Sequence, residues 1–151
     1  MESVLDFSNV VFASFALWSS VSVLKMMFMG VLTSLHRGAG NVYTNPEDIA
    51  MFATKRGVSP NPNDPKVERA RRNHLNDLEN IPAFVLLGFF YVLTRPSPWL
   101  AVMHFRVFGV ARIIHTLSYQ LSLQPWRAIA HIASVVVLTS MAVQIFSMGQ
   151  W

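Results

Sequence analysis

Three polar side chains lie within nine residues of an otherwise apolar stretch, in the segment ARIIHTLSY. Arg112, His115 and Tyr119 are spaced by three and four positions, so one face of a helix would present all three. A guanidinium group binds a carboxylate through two parallel hydrogen bonds, and Tyr and His can add further hydrogen bonds. This face therefore predicts a site for a small polar ligand that carries carboxylates.

Two other segments carry polar side chains that would reach the same depth. Arg127 and His131 are four positions apart at the start of the last apolar segment. Arg72, Asn76 and Glu79 share one helical face in the segment VERARRNHLNDLENIPAF. A carboxylate such as that of Glu79 can hold an amine, so the complete set suits a zwitterion with more than one carboxylate. A cluster of ionisable residues inside a membrane indicates a functional site.

Some of these groups need a partner within the protein. Glu79 stands at the edge of an apolar run, where an unpaired carboxylate is costly, so we expect it to face the bundle interior beside a cation. Lys25 lies deep in the first apolar segment and is interpreted as a structural partner in the interior. His104 and Arg106 lie off the Arg112 face, and we interpret them as side chains that reach the membrane surface or bridge helices.

The composition indicates which elements position these residues. Hydrophobic residues make up 52% of the 151 residues and charged residues only 13%, more apolar surface than one soluble core of this size needs. The apolar runs are too long for strands and lack alternation. We predict one domain, 1–151, an all-α integral membrane four-helix bundle. Its helices are expected over about residues 9–35, 67–94, 98–119 and 127–148, with the apolar part of the second beginning at residue 78.

The connections set the predicted orientation. The loop over about residues 36–66 is long and rich in Gly, Pro and Asn, and its TNPED sequence suits a turn or a short helix start. This loop and the residues that follow it hold most of the basic side chains, so the positive-inside rule places them in the cytosol. The N-terminus lacks the basic region of a cleaved signal peptide, so we expect the first helix to stay as an anchor.

Several kinds of chemistry are not expected. The chain has no cysteine, so disulfides, thiol nucleophiles and thiolate metal sites are excluded. The five histidines show no paired metal-binding spacing, so we expect no metal site. The basic residues cluster beside membrane segments and alternate with acidic ones, so no nucleic-acid partner is expected.

Four stretches of the chain resemble, in order and spacing, one family of membrane proteins. They are YTNPED at 43–48, VERARRNHLNDLENIPAF at 67–84, HFRVFGVARIIHTLSY at 104–119 and PWRA at 125–128. The family is that of membrane-associated proteins in eicosanoid and glutathione metabolism (MAPEG), and the sequence is most similar to its microsomal glutathione S-transferase branch, then to its prostaglandin E synthase branch. The resemblance implies a homotrimer in the endoplasmic reticulum membrane or the outer mitochondrial membrane. It also implies glutathione sites between subunits.

The resemblance further implies an activity and a set of site residues. The activity is transfer of glutathione, as co-substrate, to hydrophobic electrophiles at the lipid surface, often with reduction of lipid hydroperoxides. The implied glutathione-binding residues are Arg37 from an adjacent subunit and Arg72, Asn76, Glu79, His115, Tyr119, Arg127 and His131. Arg127 is implied to stabilise the glutathione thiolate. Asp48 is implied to lie beside it, where it would orient Arg127, position a proton or cap a turn.

Three alternatives stay open at this point. The chain could be a glutathione-dependent prostaglandin E synthase, although Ala128 follows Arg127 where that branch has a hydroxyl, and Leu75 stands where that branch has Arg. It could be a non-catalytic scaffold that binds lipid. A small channel or proton-relay protein would also tolerate buried Arg and His, but it gives no reason for a carboxylate-binding set of side chains.

Overall fold

The part of the chain that the structure describes folds into five α-helices. A computed structural model describes residues 4–149 and contains no strand in that range. The helices are α1 (Val10–Gly40), α2 (Pro46–Phe52), α3 (Pro65–Leu93), α4 (Pro98–Gln120) and α5 (Trp126–Met148). The all-α prediction is confirmed. The structure has five helices rather than the predicted four, because the connection between α1 and α3 contains the short helix α2.

The α1–α3 connection is also shorter than predicted, because α1 continues beyond residue 35 to Gly40. It ends at Asn41, which adopts the left-handed conformation at φ 50° and ψ 43° that Asn tolerates at helix ends. The backbone N–H of Val42 donates to the carbonyl oxygen of Arg37 at 2.9 Å and closes the last turn. Five residues after Asn41, α2 begins at Pro46, whose fixed φ suits the first helical position.

Three helices are long and apolar enough to cross a membrane: α1 with 31 residues and α4 and α5 with 23 each. At 1.5 Å per residue each exceeds the roughly 30 Å of hydrocarbon. The chain is therefore a multi-pass membrane protein. α3 has 29 residues, but its first half is charged and polar, so it does not reach the same mean hydropathy over the described residues.

The four long helices pack against one another around an aromatic core. α1 packs on α3 and α4, and α5 packs on α4 and α3. Phe84 of α3 and Phe108 of α4 stack with ring centroids 3.9 Å apart, and Phe105 meets Phe84 edge to face at 6.1 Å. This core lies in the half of the bundle away from the α1–α3 connection. The buried polar residues lie in the other half.

One close helix approach depends on glycine. A Cβ atom placed at Gly109 of α4 would lie 2.1 Å from Cε3 of Trp18 on α1. Real Cβ atoms do not approach other atoms so closely, so the absence of a side chain at Gly109 lets the Trp18 ring approach the α4 backbone at this position. This contact fixes the separation of α1 and α4 next to the polar half of the bundle.

Candidate functional site

A buried carboxylate with two cationic partners lies at the centre of the polar half. Asp77 of α3 accepts hydrogen bonds from Lys25 Nζ of α1 at 2.6 and 2.5 Å and from Arg112 Nη2 of α4 at 2.5 Å. Arg112 Nη2 also donates to Asn76 Oδ1 at 2.8 Å. The Asp77 and Arg112 side chains are fully buried. The interpretation of Lys25 as an interior structural partner is confirmed.

The prediction for Glu79 is wrong in this chain. Its side chain is exposed, and Asp77 takes the buried position beside the cations. Two positions along an α-helix correspond to about 200°, so residues 77 and 79 point to nearly opposite sides. Asp77 shares the buried face of α3 with Ala70, Asn73 and Phe84. Its spacing of four positions from Asn73 and of seven from Ala70 and Phe84 is the sequence signal that could have identified it.

The structure brings together four of the predicted site residues at the ends of α4 and α5. The rings of His115 and Tyr119 have centroids 5.7 Å apart, and those of His115 and His131 are 6.2 Å apart. The guanidinium carbon of Arg127 lies 4.8 Å from the centroid of the Tyr119 ring, within the range of a cation–π interaction. We name these four residues, His115, Tyr119, Arg127 and His131, the arginine–aromatic cluster.

The end of α4 is held against α3 at this level. Arg69 Nη1 donates to the carbonyl oxygen of Tyr119 at 3.2 Å, and Asn73 Nδ2 donates to that of Thr116 at 3.5 Å. Tyr119 lies in the last turn of α4, where the carbonyls lack partners within the helix. They fix the position of the Tyr119 ring, on which Arg127 lies.

Arg127 is also held from the loop that precedes α5. With its amide oxygen turned towards the guanidinium, Gln124 accepts hydrogen bonds from Arg127 Nη2 at 2.5 Å and from Nε at 3.0 Å. Arg127 is half-buried, so the remaining donors of its guanidinium can reach a ligand. Gln124 is a contact that the sequence interpretation did not include. No motif signals it, because the contact depends on how the short turn after α4 folds back.

Several buried N–H groups and ring nitrogens in this half have no hydrogen-bond partner among the described residues. They include Nε and Nη1 of Arg112, Nδ1 of His115 and Nδ1 of His131. Buried polar atoms in proteins nearly always have a partner, so such a group of atoms indicates space for water or a polar ligand. The arrangement can donate to anionic oxygens or to a sulfur anion.

The remaining predicted residues lie apart from this cluster. Arg37 and Asp48 line a hollow of about 580 Å³ between the end of α1 and α2. Nε of Arg37 is buried there without a partner, and Asp48 accepts from Asn45 Nδ2 at 3.2 Å. Arg72 is exposed, as is Glu79. Within residues 4–149, no hydrogen bond or ion pair joins the hollow to the arginine–aromatic cluster.

The fold and these side chains define a multi-pass helical membrane protein with a buried ionic cluster beside an arginine held on a tyrosine ring. The profile of the MAPEG family matches residues 15–147. The chain belongs to the MAPEG family, and the resemblance inferred from its sequence is confirmed.

Individual relatives cover nearly the whole chain. Microsomal glutathione S-transferase 1 of Homo sapiens is 41% identical over 144 residues, which cover 94% of this chain and 92% of that protein. The protein of the same name from Bos taurus is 43% identical over 136 residues, 89% of this chain and 88% of the relative. Prostaglandin E synthase of Homo sapiens is 37% identical over 142 residues, 93% of this chain and 91% of the relative.

Proposed function

We propose that this protein is a membrane glutathione S-transferase that joins the sulfur of glutathione to hydrophobic electrophiles. The observation that carries the proposal is the position of Arg127, held on the Tyr119 ring beside His115 in a chain whose relatives include microsomal glutathione S-transferases. A fixed cation at the edge of a buried polar cluster suits a substrate that must become an anion before it reacts.

The chemistry that Arg127 supplies is electrostatic. A free thiol has a pKa of about 8.5 and is mostly protonated at neutral pH, whereas an adjacent cation favours the thiolate. Each unit by which the thiol pKa falls corresponds to about 1.4 kcal/mol of preferential interaction with the anion. Arg suits this role because it keeps its own proton. The chain has no cysteine, so the reacting sulfur comes from glutathione.

In the proposed reaction the glutathione thiol loses its proton to solvent, and the thiolate sulfur attacks an electrophilic carbon. A sulfur–carbon bond forms, and the leaving group, such as chloride, departs with its electron pair. The same thiolate would reduce a lipid hydroperoxide by attacking its terminal oxygen. The alkoxide then leaves, and a second glutathione converts the sulfenic acid to a disulfide and water. Both reactions need the thiolate beside a surface that apolar substrates can reach.

We propose that the rest of glutathione is held by the predicted polar residues. Arg72 and Arg37 suit its two carboxylates, since guanidinium–carboxylate pairs form paired hydrogen bonds. Glu79 suits its amine, and its exposure leaves it accessible to a ligand. Asn76 already accepts from Arg112, which leaves its amide N–H groups to donate to the peptide part of the substrate.

We propose that the site is completed in a homotrimer. One face of α3 exposes Arg72 and Glu79 together with Leu75 and Leu78, which are 44% and 43% exposed. An exposed apolar face with two charged residues suits a contact with a second copy of the chain. The hollow that holds Arg37 and Asp48 would then face the arginine–aromatic cluster of the neighbour. In this assembly α3 crosses as a fourth membrane helix, the α1–α3 connection is cytosolic, and the endoplasmic reticulum is the proposed membrane.

A prostaglandin E synthase is the second candidate, since a relative of that name is 37% identical over most of the chain. Ala128 offers no hydroxyl next to Arg127, which favours the transferase. A lipid-binding scaffold would hold lipid without forming a thiolate.

The test is an ultraviolet difference spectrum of the detergent-solubilised protein with glutathione, followed by turnover of chlorodinitrobenzene. We expect a thiolate band and turnover in the wild type. Arg127→Ala should lose the band while glutathione still binds, and Arg127→Lys should retain part of it. Arg71→Ala, at an exposed residue paired with Glu68, is the control and should keep both signals.

The outcomes separate the candidates. Glutathione binding without turnover would favour the prostaglandin E synthase, and absence of glutathione binding would favour the scaffold. A full thiolate band in Arg127→Ala would overturn the role proposed for Arg127.

A further inference from the structure

One arginine of α4 lies outside the proposed glutathione site and has no ion-pair or hydrogen-bond partner among the described residues. Arg106 is the ninth residue of α4, about 12 Å along the helix from Pro98 at 1.5 Å per residue. Its side chain is exposed. None of the ion pairs and side-chain hydrogen bonds in residues 4–149 includes it, and neither α4 nor α5 contains an acidic residue. An exposed cation at this depth in a membrane helix is costly unless something pairs with it.

Two hollows meet at this residue. The larger, of about 450 Å³, runs between α4 and α5 from Met103 and Arg106 to Trp126 and is otherwise apolar. The smaller, of about 270 Å³, extends from the same two α4 residues towards Trp99, at the end of the helix away from the α1–α3 connection. Arg106 is the one charged residue in the lining of either hollow. A hollow of several hundred cubic ångströms is the size in which small ligands bind.

We propose that these hollows hold one anionic phospholipid, whose phosphate pairs with Arg106. A guanidinium group binds phosphate through two parallel hydrogen bonds. The flexible stem of the side chain lets its head reach towards the membrane surface near Trp99. One acyl chain then lies along Val110 and Ile114, which are 44% and 42% exposed, in the groove towards Trp126.

The charge and position favour this occupant over a second copy of the chain. The α3 face proposed for subunit contact carries both acidic and basic residues, whereas the α4–α5 groove offers one cation and apolar side chains. An anionic amphiphile complements both properties at once. The inference does not depend on the transferase activity, because none of the residues proposed to bind glutathione lines either hollow.

The test counts the lipids retained by the full-length protein. The protein is reconstituted in nanodiscs of phosphatidylcholine with a minor fraction of phosphatidylglycerol. Native mass spectrometry then identifies the lipids that stay bound when the protein is released from the nanodisc. We expect enriched phosphatidylglycerol in the wild type and in Arg106→Lys. Arg106→Leu should reduce the enrichment about fivefold, which corresponds to about 1 kcal/mol for one basic residue at a lipid headgroup.

Two tryptophan substitutions, one inside the groove and one outside it, test whether the groove holds the acyl chain. Val110→Trp fills it and should lower retention, whereas Val136→Trp, at a residue of α5 that is 60% exposed and outside the groove, should not. Inorganic phosphate added as a competitor should leave the lipid in place, because the acyl chain contributes to binding. Unchanged phosphatidylglycerol enrichment in both Arg106→Leu and Val110→Trp would overturn the proposal. A change in oligomer mass in Arg106→Leu, with lipid retention unaltered, would assign Arg106 to a subunit contact instead.

Discussion

Two neighbouring acidic residues on α3, Asp77 and Glu79, offer the sharpest test of the buried cluster. Asp77→Asn removes the charge that Lys25 and Arg112 share, while Glu79→Gln makes the same chemical change at an exposed position two residues away. Removing one partner of a buried ion pair costs about 3–5 kcal/mol, because the remaining charge is left uncompensated. An exposed substitution usually changes stability by less than about 0.5 kcal/mol.

The two variants should therefore separate clearly in a thermal melt without glutathione. For a chain of this size, 3–5 kcal/mol corresponds to a fall in Tm on the order of 10 °C. We expect that fall in Asp77→Asn and a Tm within about 2 °C of the wild type in Glu79→Gln. The melt is followed by circular dichroism in detergent, and equilibrium unfolding in mixed micelles gives the free energy of unfolding. Equal melting temperatures for the two variants would refute the assignment of Asp77 as the buried counter-ion.

A second substitution checks that the cost comes from uncompensated charge and not from altered shape. In the wild type, Lys25→Met should destabilise, since it removes one partner of Asp77. In the Asp77→Asn background the same change removes an unpaired buried cation and should restore part of the lost stability. The effect of Lys25→Met should thus change sign between the two backgrounds. A destabilisation of the same size in both would contradict the charge argument.

Two further predictions concern helix packing and the support of Arg127. Gly109→Ala should lower the free energy of unfolding by about 1–3 kcal/mol, because its Cβ would clash with Trp18. Gly30→Ala, at a position with no atom within 4 Å of the added Cβ, should be neutral or slightly stabilising. Equal effects of the two substitutions on equilibrium unfolding would contradict the close-contact argument. Gln124→Ala removes an acceptor that fixes Arg127, so we expect turnover to fall about tenfold and the apparent pKa of bound glutathione to rise, with little change in KM. An unchanged pH profile of turnover would contradict the role of Gln124.

Much of the fold could be predicted because its signals are local. The long apolar runs predict the helices, and Pro98 and Pro125 mark their boundaries, so the observed bounds of α4 and α5 differ from the predicted ones by one residue at most. The end of α1 was less predictable. The five residues after Leu35 are polar or small, yet they stay helical until Asn41 adopts the left-handed conformation, and nothing in an apolar pattern indicates where that happens.

The site was predictable where one helix carries several of its members. Helical spacing placed His115 and Tyr119 together, and the short turn after α4 brought Arg127 to the same level. The choice between Asp77 and Glu79 failed because it rested on the start of the apolar run, where both stand. The helical spacing that puts Asp77 on the buried face of α3 was the signal that distinguishes them. Gln124 was not predictable from spacing, since its contact depends on how the turn folds.

The polar half of the bundle contains more buried positive charge than negative charge. Lys25 and Arg112 share one carboxylate, so the buried cluster keeps one uncompensated positive charge. In a region of low dielectric constant, such an excess interacts strongly with an anion that approaches it. Nε and Nη1 of Arg112 also lack partners, and Arg127 adds a second cation on the Tyr119 ring. The net positive charge of the buried cluster therefore favours an anionic ligand, which ties the structural ion cluster to the proposed preference for a thiolate.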